Sequence, residues 1–543
     1  MFRRDLLKLS PLAIVSAAVG HIALAQTPET SATDALYDVR RYGATGDGKA
    51  VDTPAINRAI EAVASAGGGT LLFPAGTYVC FTIQLKSKVD LYLSPGCTIL
   101  AADSPKPGEA TGYNGGVYDP GGPAQPWEGY QDYGHNHWAN SLFYGEGINN
   151  FSITGPGLIH GKGLSRGGYG SATGPVFMAE QPGAGNKTIA LKNCRNVLLR
   201  DFSVLKGGHF ALLATGVDTL TIDNVLVDTD RDGFDIDCCH NVRVSNCTVN
   251  SPYDDGICPK SSYALGYVRT TVNVTIANCF VTGAYVMGSV VDGTWKKSVR
   301  GHGNGRIKCG TESNGGFRNI SISNCVLEGS KGIAIETADG AFAEDIAISN
   351  ITLRDTDDAP IFLRLNRRNR GPAETMRPGT LRRVLISNIV SYNSASIAAP
   401  ILSGIASNFI EDVKINNCYF ANAGLPTTVG SGDRAKPFPD WHTLQVPEIE
   451  DAYPDPNRFG PTPSKGFFIR HLKNLEMSHV EIASSAPDPR PAFWLEDVHR
   501  ADFFAITAPA QPNFVLRNVS DLRIFWSRAA KDTTFDQVAS QTI

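Results

Sequence analysis

Asn241-Val-Arg-Val-Ser-Asn-Cys247, Asn273-Val-Thr-Ile-Ala-Asn-Cys279 and Asn319-Ile-Ser-Ile-Ser-Asn-Cys325 are three copies of one seven-residue pattern. β-Branched residues alternate with polar ones, which gives a strand with one buried face. Weaker copies follow at Asp345-Ile-Ala-Ile-Ser-Asn350, Arg383-Val-Leu-Ile-Ser-Asn388 and Asp412-Val-Lys-Ile-Asn-Asn-Cys418. Their spacing ranges from about 22 residues to about twice that, as for coils of a solenoid with loops inserted at turns. Asn224, Asn246, Asn278, Asn324, Asn350, Asn388 and Asn417 share one repeat position. Asparagine tolerates the left-handed backbone of a bend, and stacked amides hydrogen-bond along a ladder. An antiparallel sandwich with Asn-rich turns is the alternative, but hairpin signals such as Asn-Gly are scarce. The expected fold is all-β, a single-stranded right-handed parallel β-helix with an N-terminal capping helix and long loop insertions.

Within the repeat lie three aspartates: Asp232, then Asp254 and Asp255 about one coil later. Stacking successive coils makes these distant carboxylates neighbours on one face. Glycosidic hydrolysis needs such a set, with one proton donor and one or two acids to activate water. Rungs about 4.8 Å apart with splayed side chains allow the roughly 6.5–9.5 Å separation that admits a water. Crowding carboxylates also raises the pKa of at least one of them.

With 543 residues, 42% hydrophobic and 19% charged, the chain has ample material for a core. Its net charge of -4 gives no basis for nucleic-acid binding. Residues 1–25 read as a twin-arginine-type export signal, with Arg3-Arg4 before a modest apolar run and Ala23-Leu24-Ala25 as the cleavage site. That run is shorter than the roughly 20 residues needed to span a bilayer. A periplasmic or secreted monomer without membrane insertion is expected. Residues 36–530 form one β-helix catalytic domain and 531–543 a C-terminal tail. Thr53 as N-cap and Pro54 as first helical residue start a capping helix through Val63. Cys247, Cys279, Cys325 and Cys418 suit stacking inside the coil, and no pair shows zinc-site spacing; an isolated disulfide elsewhere stays open. Segments 103–127 and 424–465 read as long loops flanking a groove.

From Tyr37-Asp38-Val39-Arg40 to the C-terminal coils the chain resembles glycoside hydrolases of family 28, the polygalacturonases and rhamnogalacturonan hydrolases. Their Asn-Thr-Asp-Gly motif is matched by Asp230-Arg231-Asp232-Gly233, and their Asp-Asp motif by Asp254-Asp255-Gly256. The resemblance implies hydrolysis with inversion of a pectic poly- or oligosaccharide, galacturonan or rhamnogalacturonan, without a cofactor or metal. Asp254 is then the general acid, and Asp232 and Asp255 position and deprotonate water. Lys260 matches a basic substrate-binding position. The family's Gly-His-Gly falls on Gly303-Asn304-Gly305, so the histidine is missing; His302, two residues before Asn304, either takes over its substrate-binding role or is a solvated loop residue. Its Arg-Ile-Lys occurs as Arg306-Ile307-Lys308, one coil early; the expected place carries Ala334 and Glu336. An acid at 336 repels a uronate and suits a neutral sugar, whereas Arg306 and Lys308 could restore carboxylate binding from the neighbouring coil.

Two clusters have open roles. Tyr133, His135, His137 and Trp138 either wall a sugar site or pack a loop. Arg364, Arg367, Arg368 and Arg370 form either a uronate subsite or a solvated edge. Two other functions fit the same fold. A lyase would use Asp232, Asp235, Asp237, Asp254 and Asp255 as calcium ligands, and a non-catalytic β-helix would bind carbohydrate only.

Overall fold

The computed structural model describes residues 36–165, 179–297, 303–395, 397–430, 434–509 and 512–543. The export signal read at residues 1–25 and His302 lie outside these. Strand follows strand in parallel register; the middle coils contribute three each, which merge into two and then one long strand per coil towards the C-terminus. The coil that begins at Asp232 runs through Asp232–Asp237, His240–Ser245 and Thr248–Asn250, then re-enters the first sheet at Ile257–Lys260. This is the expected right-handed parallel β-helix.

The alternating pattern does what its period requires. Leu220, Val242, Val274, Ile320, Ile346 and Val384 stand in register on successive coils and are buried. Each such side chain contributes about 1.5–3 kcal/mol by leaving water. The bends are made by the asparagines: Asn246, Asn278, Asn324, Asn350, Asn388 and Asn417 all have φ between 52° and 57°. Their amides form the ladder, Asn350 Nδ2 donating to Asn324 Oδ1 at 3.0 Å and Asn388 Nδ2 to Asn350 Oδ1 at 2.8 Å. A second ladder at the strand starts joins Asn319, Asn273 and Asn241. Among the described residues all eleven cysteines are free and buried.

Helix α1 (Thr53–Ser65) closes the N-terminal end with Ile56, Ala59, Ile60 and Val63 buried beneath it. Thr53 is not its cap. Asp52 holds that position, and the Thr53 hydroxyl instead accepts the Phe81 N–H at 2.8 Å. The helix is thereby tied to the first coils. At the other end, the segment set apart as a tail carries a strand, Thr533–Thr542, antiparallel to Phe514–Phe525. Among the described residues no helix is long and apolar enough to cross a membrane.

Candidate active site

Five parallel strands of one sheet carry the site: β1 (Asp232–Asp237), β2 (Ile257–Lys260), β3 (Ile307–Cys309), β4 (Ile333–Thr337) and β5 (Ile361–Leu365). Asp232 opens β1, and Asp254 and Asp255 occupy the turn before β2. Backbone hydrogen bonds lock these turns together: Gly233 N to Asp255 O at 3.0 Å, Gly256 N to Arg306 O at 2.9 Å and Gly305 N to Asp254 O at 2.9 Å. Glycine is required at 233, where a Cβ would stand 2.3 Å from the Gly256 carbonyl oxygen.

The three aspartates meet as expected. One oxygen from each lies within 4.8 Å of the other two, an approach tighter than the splay anticipated from the rung spacing. Asp232 and Asp255 are buried, while the Asp254 side chain is 25% exposed. Their electrostatic settings diverge. Burial, with the Asp235 and Asp254 charges beside it, pushes the Asp232 carboxyl well above the usual carboxylate range. Burial acts on Asp255 too, but Arg306, Lys308 and Lys260 outweigh it and hold that carboxyl well below the usual range. Arg231 donates to Asp254 Oδ2 through Nε at 3.2 Å and Nη2 at 2.8 Å.

Arg306 and Lys308, read as substrate ligands, are engaged by the chain itself. Arg306 Nε lies 2.5 Å from Asp255 Oδ1, and its Nη2 lies 3.4 Å from Asp455. Lys308 Nζ lies 3.3 Å from Asp255 Oδ2, 3.8 Å from Glu336 and 2.9 Å from the Tyr453 hydroxyl. Lys308 stands in register with Ala334, so the Arg-Ile-Lys stretch does lie one coil before its expected place. Lys260 is buried between Glu312 at 3.3 Å and Asp235 at 4.0 Å. Glu336 is fully buried; Thr311 donates to its Oε2 at 3.1 Å, and its Oε1 has no partner. Asn304 stands where the family histidine would, its side-chain oxygen buried without a partner.

Sequence reading missed Arg231, Glu312, Tyr453 and Asp455 as parts of the site, and named Asp235 only as a calcium ligand of the lyase alternative. Arg231 was signalled, since it replaces the threonine in the middle of the matched motif. Tyr453 and Asp455 reach in from the 424–465 loop, and no local pattern marks them. That loop is pinned by the arginine cluster. Arg364 donates to the Glu448 and Ile449 carbonyls at 2.6 and 3.0 Å, and Arg367 pairs with Glu450 and Asp451. Arg368 and Arg370 pair with Asp339 and Glu312. On the opposite wall Trp138 packs against Ala190, Phe210, Leu213 and Ala264 and donates to Thr215 Oγ1 at 3.1 Å. His135 Nε2 lies 3.3 Å from Asp235 Oδ2, and Tyr133 stacks on His137. The arginine cluster thus holds the 424–465 loop, and the aromatic cluster packs residues 133–138 onto the sheet.

The fold is a pectate-lyase-like parallel β-helix, and the chain is similar to polygalacturonases of glycoside hydrolase family 28. Residues 36–257 match the family described as rhamnogalacturonase A/epimerase, pectate lyase-like. The chain is 24% identical over 363 residues to an exopolygalacturonase of Arabidopsis thaliana, covering 63% of this chain and 69% of the relative. It is 28% identical over 199 residues to the exo-poly-α-D-galacturonosidase of Dickeya chrysanthemi, of whose length it covers 29%. Among solved structures it is similar to the family 28 exopolygalacturonase of Yersinia enterocolitica, with a TM-score of 0.59, 18% identity, and coverage of 87% of this chain and 79% of that one.

Proposed function

We propose that the chain hydrolyses glycosidic bonds of pectic poly- or oligosaccharides by acid/base catalysis with inversion, acting from chain ends. The observation that carries this reading is the split within the trio. Arg306 and Lys308 favour the ionised form of Asp255, while burial and like charge favour the protonated form of neighbouring Asp232. Hydrolysis requires one carboxyl in each state.

In this reading the proton for the leaving-group oxygen comes from Asp232 and is delivered through Asp254, the member of the trio open to the groove. The C–O bond breaks, and water oriented by Asp255 adds to the anomeric carbon as its proton passes to the Asp255 carboxylate. A carboxylate paired to two cations is a weak base and a poor nucleophile. Water attack on an oxocarbenium-like centre tolerates the first, and the second argues against a covalent intermediate.

Action on ends is supported by the names of the relatives and by the two loops over the sheet. Because Arg306 and Lys308 are already neutralised by Asp255, Asp455 and Glu336, the sugar at the cleaved bond is not selected by a free Arg-Lys pair. A branched or mixed pectic chain fits this better than plain homogalacturonan.

A second reading deserves its own test, because three carboxylates within 4.8 Å are also a geometry for a divalent cation. A lyase would use them so. Arg231 on Asp254, and Arg306 and Lys308 on Asp255, already supply the positive charge such an ion would bring. Incubation with homogalacturonan, rhamnogalacturonan and pectic oligosaccharides, with and without EDTA, separates the two. Hydrolysis adds one water per cleavage and ignores EDTA, whereas a lyase leaves an ultraviolet-absorbing unsaturated product and stops with EDTA.

A further inference from the structure

One side of the acid cluster is closed by the chain itself. Tyr453 covers Lys308, Asp455 sits on Arg306, and Arg370 donates to the Tyr130 carbonyl, joining the two loop walls. On the Asp254 side a cavity of about 340 Å³ opens. It is lined by Tyr253, the chain neighbour of Asp254, and Asp230, the neighbour of Arg231, together with Lys206, Thr229, Tyr285 and Met287. The Tyr253 N–H donates to the Asp230 carbonyl at 3.1 Å, so the two sides of this floor are tied to each other.

The outer wall is a hairpin of Tyr285–Met287 against Lys296–Lys297. It is fixed at several points. Asn250 Nδ2 donates to the Tyr285 carbonyl at 2.7 Å, and the Val290 N–H to Asp228 Oδ2 at 2.9 Å. The Tyr285 hydroxyl donates to Glu328 Oε2 at 3.0 Å. Lys297 pairs with Glu328 at 2.8 Å and Asp355 at 2.7 Å. The Tyr285 ring also packs on Trp295, with centroids 4.1 Å apart. A ring anchored this firmly loses little freedom when a ligand lies on it.

We propose that this cavity is a pyranose subsite next to the bond presented to Asp254. Tyr285 and Tyr253 meet the C–H face of the sugar, and Lys206, Thr229 and Asp230 meet its hydroxyl edge. Aromatic faces with a polar rim fit a ring of that chemistry. The identity of the glycan rests on the hydrolase reading above, whereas occupation of the cavity by a sugar does not require turnover.

Kinetics and titration calorimetry with pectic di- and tetrasaccharides test it. Tyr285→Ala raises KM and Kd for the tetrasaccharide about tenfold, with the loss in KM rather than kcat, and Tyr285→Phe, which keeps the ring, restores both to within about twofold. Values for Tyr285→Ala within twofold of wild type overturn the subsite, as does an equal loss on the disaccharide. Should wild type cleave neither glycan, the hydrolase reading fails and calorimetry still decides the subsite. Tenfold weaker tetrasaccharide binding by Tyr285→Ala then supports it, and absence of binding to wild type overturns it.

Discussion

Arg306 Nε lies 2.5 Å from Asp255 Oδ1, and Lys308 Nζ approaches the other oxygen of the same carboxylate at 3.3 Å. Two cations that the family resemblance assigns to the substrate are thus spent on fixing the charge of one acid. This arrangement gives the trio its asymmetry, because Asp232, a few ångströms away, makes no such ion pair among the described residues, and the charges of Lys260 and Arg231 do not offset its burial.

Replacing Arg306 with Met leaves Asp255 buried with Lys308 as its nearest cation. Breaking such a pair costs about 3–5 kcal/mol. The Asp255 pKa rises from its depressed position, so the acid limb of the kcat/KM profile moves to higher pH. A pH–rate series on Arg306→Met checks this, and an unmoved acid limb would separate Arg306 from the ionisation of Asp255.

The same asymmetry sets the wild-type profile. Asp255, with its pKa lowered, protonates only below the usual aspartate value of about 3.8, and Asp232, with its pKa raised, ionises only well above it. The plateau of kcat/KM therefore spans the region between, and activity falls on the alkaline side as Asp232 loses its proton. Asp232→Asn lowers kcat by about 10²–10⁴-fold, the range for a lost acid/base group, and removes the alkaline limb from the remaining activity.

Much of this was legible in the chain and some was not. Asn246, Asn278 and Asn324 announced their left-handed bends because few other residues tolerate that backbone. Asp232, Asp254 and Asp255 were found because both motifs sit at strand starts that coil stacking must juxtapose. The partners of Arg306 were not legible. They depend on a register fixed by loops of irregular length and on Asp455, which arrives from a segment about 150 residues away. The first residue of α1 was misread because Asp52 and Thr53 both suit a cap, and only the Phe81 N–H shows where the threonine hydroxyl is engaged.

Asp358 yields a stability prediction. Burial, and then the charge of Asp455, raise its pKa to about 6. A raised value means that the neutral form suits the fold. Its contribution is full below about 3.8 and lost as pH climbs through about 6, a penalty of up to about 3 kcal/mol above that. Asp358→Asn keeps an oxygen for the Ala359 N–H. It should raise the melting temperature at pH 7.5 and leave it unchanged at pH 4.

The asparagine ladder carries stability of its own. Asn350 has φ 55° and links Asn324 to Asn388 through its amide. Asn350→Ala loses both hydrogen bonds and places a Cβ in the left-handed region, at a cost of about 2 kcal/mol. Asn350→Gly removes the same bonds without the backbone strain and costs less. Urea denaturation of the two variants orders them, and equal losses would show that the strain plays no part.

The most direct measurement follows product mass and anomeric configuration during cleavage of rhamnogalacturonan and homogalacturonan oligosaccharides by wild type and Asp254→Asn, each with EDTA. The predicted result is saturated fragments one water heavier, released from chain ends with inverted configuration, and absent with Asp254→Asn. Unsaturated products suppressed by EDTA, or undiminished cleavage by Asp254→Asn, would contradict the account.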